Sequence, residues 1–436
     1  MAAQFFSSLA DNALLIASLA LLIQLDVPEW MKPQVKFFFT VSYVLLAPFV
    51  GPFADAFPKG RVMFMTNTIK VCGCLMMLFY EFFMVAGATP YAIVLIAYAI
   101  VGFGAAAYSP AKYGILTELL PPEKLVVANG WIEGLTVGSI IMGTVVGGML
   151  ISPKISEQLL QLHPPFTVVS IDTPAEAAIA TIFTFYIIAA ILNLFIPDTG
   201  ARYEKQESRP LHLVAQFARS FSLLWKDKLG QISLAVTTMF WGAGATLQFI
   251  MLDWAKKNLG LALSEASIIQ GVFAAGIAFG AVAAARLVSL RKSLRVLPIG
   301  AVMGLVVITM IGVTDMALVY TLMVLIGAMA GFFVVPMNAL LQHRGHILLS
   351  AGHSIAVQNF NENLCILVML AFYSFMLSMQ FEINTLIVIF GTFISLSMVL
   401  VIYRHRYNQR VHGDSEHMIG MEKGETPSHF EKRIHL

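Results

Sequence analysis

Apolar residues in this chain gather into long runs with few polar interruptions, parted by short polar breaks. A helix must carry about 20 apolar residues to cross a bilayer, and at that depth its backbone must be hydrogen-bonded internally. Twelve runs meet that length, and they are numbered here as spans 1 to 12: 2–25, 35–57, 62–86, 90–113, 124–151, 175–197, 229–255, 264–288, 294–313, 316–340, 350–378 and 382–403. Many connections between them are short and marked by Pro, Gly or charge. The two long ones are 152–174 and 198–228, and a polar tail follows residue 403. The pattern predicts an all-α membrane protein of twelve transmembrane helices.

Composition removes the soluble alternative. Of 436 residues, 58% are hydrophobic and 12% charged, against roughly 25% charged in an average soluble domain. The mean hydropathy is +0.79. A net charge of +2 gives no reason to expect a nucleic acid or other polyanion as partner, but the placement of the basic residues is informative. With the N-terminus in the cytoplasm, 21 of the 27 Lys and Arg fall on the inside and 5 on the outside, with Lys70 within a span. That bias places both termini of a multi-pass membrane protein in the cytoplasm. Span 1 has no basic segment before it and carries Asp11 and Asn12 in its middle, so it reads as a retained helix and not a removable signal peptide. Cys72, Cys74 and Cys365 show neither zinc spacing nor a disulfide framework. Five histidines of the tail are irregularly spaced, and no nucleophile–base pair or phosphate loop is visible. The reading is a non-enzyme without cofactor or metal.

The chain repeats itself weakly at half its length. Gly51-x-x-x-Asp55 at the end of span 2 is matched by Gly280-x-x-x-Ala284 at the end of span 8, and Pro110 in span 4 by Pro336 in span 10. Ala128-Asn129-Gly130-Trp131-Ile132-Glu133 in span 5 echoes Gln358-Asn359-Phe360-Asn361-Glu362 in span 11. Offsets of 229, 226 and 230 keep the span order, so the halves are parallel repeats. This is similar to the plan of the major facilitator superfamily, two pseudo-symmetric six-helix bundles around a midplane site. The expected parts are an N-terminal bundle 1–197, a cytoplasmic connector 198–228, a C-terminal bundle 229–403 and a cytoplasmic tail 404–436. Within the connector, Leu211, Val214, Phe217, Phe221, Leu224 and Trp225 recur at helical spacing. They suggest an amphipathic helix lying on the inner leaflet, or else a solvated linker.

Charges inside lipid are costly and mark functional candidates. Asp11 lies about 15 Å up span 1 at 1.5 Å per residue, on a stripe with Ser7, Ser8 and Ser18 and beside Asn12. It lines a binding cavity or is paired to another helix. Span 5 puts Asn129, Glu133 and Thr136 on one face. Span 11 is denser, with Gln358, Asn359, Asn361, Glu362 and Asn363. Such amides can hold helices together, but their arc is too wide for one contact, so part of them is expected to line a wet cavity, joined by Asn338 and Gln342. Lys112 is the better candidate for an anionic group. Lys70 either binds one too or snorkels to the interface. Trp241 and Gln248 are weaker cavity candidates.

The segment Gly51 to Asp55, followed by Lys59 and Arg61, resembles the superfamily's signature between spans 2 and 3, which acts as a conformational latch. It lacks a basic residue directly after Asp55. Glycine there is expected to let span 2 approach its neighbour, and Lys59 and Arg61 to pair with Asp55. Gly143-Thr144-Val145-Val146-Gly147-Gly148 looks like the superfamily's antiporter motif with threonine for proline, or like ordinary small-residue packing.

Four stretches carry a closer resemblance: 9–15, from Leu9 through Asp11 to Leu15; 104–116, from Gly104 through Pro110 and Lys112 to Leu116; 331–342, from Gly331 through Pro336 and Asn338 to Gln342; and 356–359, ending in Gln358-Asn359. They are similar to the bacterial lysophospholipid transporters of the same superfamily. The resemblance implies a monomeric flippase of the Gram-negative inner membrane that moves lysophosphatidylethanolamine and lysophosphatidylglycerol to the inner leaflet among the membrane lipids. Reacylation there would fall to an acyltransferase/acyl-carrier-protein synthetase. It implies that the family's acid on span 1 falls on Asp11. Two departures stand out: Gln248 where a basic residue is expected, and a longer loop at 152–174. A proton-coupled drug or metabolite antiporter is the alternative.

Overall fold

The structure is a computed structural model that describes residues 1–84, 89–119, 122–161, 171–200, 209–349, 351–413 and 419; the side chains of Asp55, Asn129 and Glu133 lie outside the described residues. Each of the twelve apolar runs falls on helix. Among the described residues, ten helices are individually long and apolar enough to cross a membrane, and an eleventh results if Gly134–Leu150 is joined to Pro153–Gln161 across a 71° bend. The remaining run, span 2, is broken into Gln34–Leu46 and Val50–Ala56. Pro48 and Pro52 explain the break, since each lacks an N–H and its ring crowds the carbonyl four residues back. Span 6 has a sharp start: Thr173 and Glu176 form a reciprocal capping box in front of Pro174.

Contacts divide the chain into two units that differ from the boundaries expected from sequence. The first is Met1–Glu207 with Gln248–Gly271 and Leu367–Phe381, and the second is Ser208–Leu247, Val272–Ile366 and Glu382–Leu436. The first thus includes one end each of spans 7, 8 and 11, the ends that the charge bias assigns to the outer face.

In each unit, glycines set the helix crossings. Lipid provides no hydrophobic drive between helices, so close backbone approach and dense packing must hold them. In the first unit a Cβ on Gly102 of span 4 would sit 2.3 Å from the Phe39 carbonyl of span 2, and one on Gly143 of span 5 would sit 2.4 Å from the Leu9 carbonyl of span 1. Gly147 meets span 1 one turn on, at Ala13. The second unit repeats the 2–4 crossing as 8–10. Gly276 and Gly280 lie against Val324 and Ala328, while Gly327 and Gly331 lie against Phe273 and Ile277, so two small-residue ridges interlock. Gly51 does not follow the expectation of close approach, because a Cβ there would meet nothing within 4 Å. The break after Leu46 leaves open space beside it.

The connector contains the predicted helix, Pro210–Lys226, but its apolar side does not rest on lipid alone. Leu224 is buried with Leu234, Leu341 and Val357, and Phe217, Phe221 and Trp225 pack against that cluster. Phe217 and Phe221 both meet Phe360 edge-on, and the Trp225 Nε1–H donates to Asn361 Oδ1 at 3.1 Å. Leu211, at the helix start, is 85% exposed. The helix is followed by Asp227, whose Oδ1 accepts from the Gly230 N–H at 2.7 Å and from Arg344 Nε at 3.0 Å, while Oδ2 accepts from Arg344 at 2.6 Å. That buried fork joins the start of span 7 to span 10. From the tail, Ile419 is buried in a cluster with Leu229, Leu294, Phe333 and Met398.

The crossings predict opposite outcomes for two glycines. Gly280→Val should destabilise the protein by about 2 kcal/mol or more, as overpacking does, because its Cβ would lie 1.9 Å from the Ala328 carbonyl oxygen. Gly51→Ala should leave the detergent melting curve unchanged. Thermal unfolding monitored by tryptophan fluorescence checks both.

Candidate functional site

The first unit places Asp11 at the centre of a polar cluster built from spans 1, 3, 4 and 6. Lys70 Nζ donates to Asp11 Oδ2 at 2.7 Å and to Ser7 Oγ at 3.0 Å. Tyr186 OH donates to Asp11 Oδ1 at 2.8 Å, and Tyr98 OH to the Asp11 main-chain carbonyl at 2.9 Å. Ser7 Oγ passes its own hydrogen to Asn67 Oδ1 at 2.8 Å. The Lys70 ammonium also lies 5.4 Å from the centre of the Tyr108 ring, a cation–π distance.

The Lys70 side chain is 2% exposed and that of Asp11 16%. Lys70 therefore does not snorkel to the interface. Gly104 explains how its stem crosses span 4, since a Cβ there would come within 2.7 Å of Lys70 Cγ. Two buried opposite charges at this distance, each with extra hydrogen bonds, offset much of the desolvation cost that either alone would incur. The pairing alternative for Asp11 is thus realised. Around it, Gln4 Oε1, Asn67 Nδ2 and Tyr108 OH are buried without a hydrogen-bond partner among the described residues, while Gln4 Nε2 reaches Thr136 Oγ1 of span 5 at 3.3 Å. Buried polar atoms of this kind are where a water or a ligand group binds. Asn12 is half-buried and donates back to the Ser8 carbonyl at 2.9 Å.

In the second unit the amides of span 11 separate into three tasks. Gln358 Nε2 donates to Glu362 Oε1 at 2.7 Å and to Asn338 Oδ1 of span 10 at 3.3 Å, forming one cluster. Asn361 turns to the connector, as described, and also caps the Val357 carbonyl. Asn363 bonds the Asn359 carbonyl on its own helix, and Asn359 is half-buried. Gln342 is exposed.

The other candidates are dispersed. Lys112 is buried at 8% exposure, and Trp241 is 36% exposed. Gln248 and Gln270 bond each other in the first unit, Gln270 Nε2 to the Gln248 carbonyl at 2.9 Å and Gln248 Nε2 to Gln270 Oε1 at 3.4 Å. In the latch segment, Lys59 is buried and donates to the Ala54 carbonyl at 2.9 Å, while Arg61 is exposed. Sequence reasoning missed Tyr98 and Tyr186. The signal for them was two tyrosines within apolar runs, each needing a partner for its hydroxyl once buried.

Among the described residues, ten candidate helical spans and an ion pair buried at mid-span in the first unit define a polytopic membrane protein. The family model described as Major Facilitator Superfamily matches residues 1–364. The chain belongs to that superfamily. It is similar to the lysophospholipid transporter LplT of Yersinia pestis (strain Pestoides F) and to that of Yersinia pseudotuberculosis serotype O:3 (strain YPIII). Each is 42% identical over 375 residues, covering 86% of this chain and 85% of the relative. Among solved structures, the nucleoside transporter NupG aligns with a TM-score of 0.65 at 13% identity, covering 92% of this chain and 98% of that one. A bacterial homologue of the human lysosomal transporter Spinster aligns with a TM-score of 0.59 at 13% identity, covering 93% of each chain. These two share the fold.

The ion pair makes a stability prediction. Lys70→Met strands a buried carboxylate and should cost about 3–5 kcal/mol, as breaking a buried pair does. The double variant Asp11→Asn/Lys70→Met should recover most of it. Detergent melting of the three proteins checks this.

Proposed function

We propose that this chain is a lysophospholipid transporter that carries its substrate from the outer to the inner leaflet of the inner membrane by alternating access, with both termini in the cytoplasm. The observation that carries the reading is the 42% identity to lysophospholipid transporters over 86% of the chain. A lysophospholipid has a charged head and a single acyl chain, so it needs polar groups at membrane depth beside apolar surface. Asp11 and Asn12 on span 1, Lys112 on span 4, Asn129 and Glu133 on span 5, and Gln358, Asn359 and Glu362 on span 11 are the proposed head-group residues. Asn338, Trp241 and Gln248 are assigned to the same site, and Gly51, Asp55, Lys59 and Arg61 to the latch. Product in the inner leaflet would be taken by a cytoplasmic acyltransferase/acyl-carrier-protein synthetase. The antiporter alternative loses support, because Gly143 and Gly147 are occupied in packing against span 1.

Reconstitution with a fluorescent lysophosphatidylethanolamine tests the reading, with inward transfer expected whether or not a proton gradient is present. Absence of transfer would overturn it, and transfer that requires the gradient would move the assignment to a coupled antiporter. Asp11→Asn combined with Lys70→Met, which strands no buried charge, removes the carboxylate. It should lower the initial rate about tenfold or more, the loss of one charge-assisted contact.

A further inference from the structure

The first unit contains a junction that neither the proposed head-group site nor the latch uses. It is made by the loop between spans 1 and 2 and the ends of spans 7 and 11. The loop carries a 3₁₀ turn, Glu29–Met31. Glu29 Oε2 lies 2.5 Å from Lys32 Nζ, and Glu29 Oε1 lies 3.6 Å from Lys256 Nζ at the end of span 7. The Ser374 hydroxyl of span 11 donates to the Trp30 carbonyl. Behind this contact, Asp253 of span 7 accepts from Tyr373 OH of span 11 at 2.6 Å, and the two are 9% and 0% exposed.

The parts differ in weight. Lys256 is 55% exposed, and a surface pair of this length contributes little. Ser374 is 7% exposed, so its hydrogen bond is shielded from competing water and holds the loop more firmly. Glu29 stays charged for the pair. Burial alone would raise its carboxyl, but the hydrogen bond and charge of Lys32, with Lys256 and Lys257 behind, outweigh that and hold it below the ordinary value.

Both helices that flank the junction stop in the same unusual way. Asp26 after span 1 and Gln380 after span 11 have φ of 50° and 58°, and they are the non-glycine residues with positive φ among those described. In each case the next residue reaches back five positions, Val27 to the Leu22 carbonyl and Phe381 to the Met376 carbonyl, which is the helix-ending geometry usually given to glycine. A side chain there costs roughly 1 kcal/mol, and it fixes where each chain leaves its helix. Spans 5 and 8 meet in the same unit, with Gly148 against Ser267 and Gly271 against Val145.

We infer that the loop 26–33 is a strap closing the outer end, caught by Ser374 of span 11 and Lys256 of span 7, and that its release opens that end. The strap works for any cargo of a transporter of this fold, so it stands independently of the lysophospholipid assignment.

Ser267 is fully buried where span 8 meets Gly148 of span 5, so Ser267→Cys is a near-isosteric reporter once Cys72, Cys74 and Cys365 are replaced. In intact cells, a membrane-impermeant maleimide should label it slowly. Adding Ser374→Ala should speed labelling about fivefold, the population shift that one net hydrogen bond gives a two-state equilibrium, and Glu29→Gln, which loses only the exposed pair with Lys256, by less than about twofold. Ser374→Thr keeps the donor and should retain the slow rate. An unchanged rate in Ser374→Ala would overturn the strap. Equal acceleration by Ser374→Thr and Ser374→Ala would do so too, marking general loosening.

Discussion

One constraint shapes the interior of the first unit: a carboxylate and an ammonium, both nearly removed from water, must satisfy each other. Either charge alone in hydrocarbon would be expelled or neutralised. Together, at 2.7 Å and with Ser7 and Tyr186 supplying further hydrogen bonds, they stay inside. The consequences spread outward. Span 4 must carry glycine at position 104 to let the Lys70 stem pass. Span 6 must offer a tyrosine, and span 3 an asparagine for Ser7. Four helices are thereby registered against one another by polar contacts that tolerate little sliding.

The same arrangement suits the proposed substrate. In the proposed reading, the zwitterionic head group of lysophosphatidylethanolamine would exchange partners with the pair without leaving a net charge in the membrane. Asp11, at 16% exposure, is the more accessible member of the pair. Nearby atoms on Gln4, Asn67 and Tyr108 that have no partner among the described residues add hydrogen-bonding capacity without adding charge.

Much of the fold was legible in the sequence because lipid imposes a single rule, length of apolar run, that a linear reading can apply. It failed at span 2, where Pro48 and Pro52 interrupt a run of correct length. The connector helix was readable from its 3.6-residue period, yet its docking on Leu341, Val357 and Phe360 was not, since periodicity identifies an apolar face and not what covers it. The site was read less completely for the same reason. Asp11 stands out as an acid in an apolar run, but its partner lies 59 positions away, and Lys70 taken alone looks like a residue close enough to an end to snorkel. Asn361 and Asn363 show the converse: they look like cavity amides, and they bond the connector and their own helix.

The central claim is that the Asp11–Lys70 pair both holds the helices and reads the substrate. Exchanging the two residues, Asp11→Lys with Lys70→Asp, keeps an ion pair in place and reverses its direction. Lysophospholipid transfer by the reconstituted variant, compared with its melting temperature, separates the two roles. The account predicts near-native melting with transfer abolished. Transfer at the wild-type rate would contradict it and reduce the pair to a structural brace.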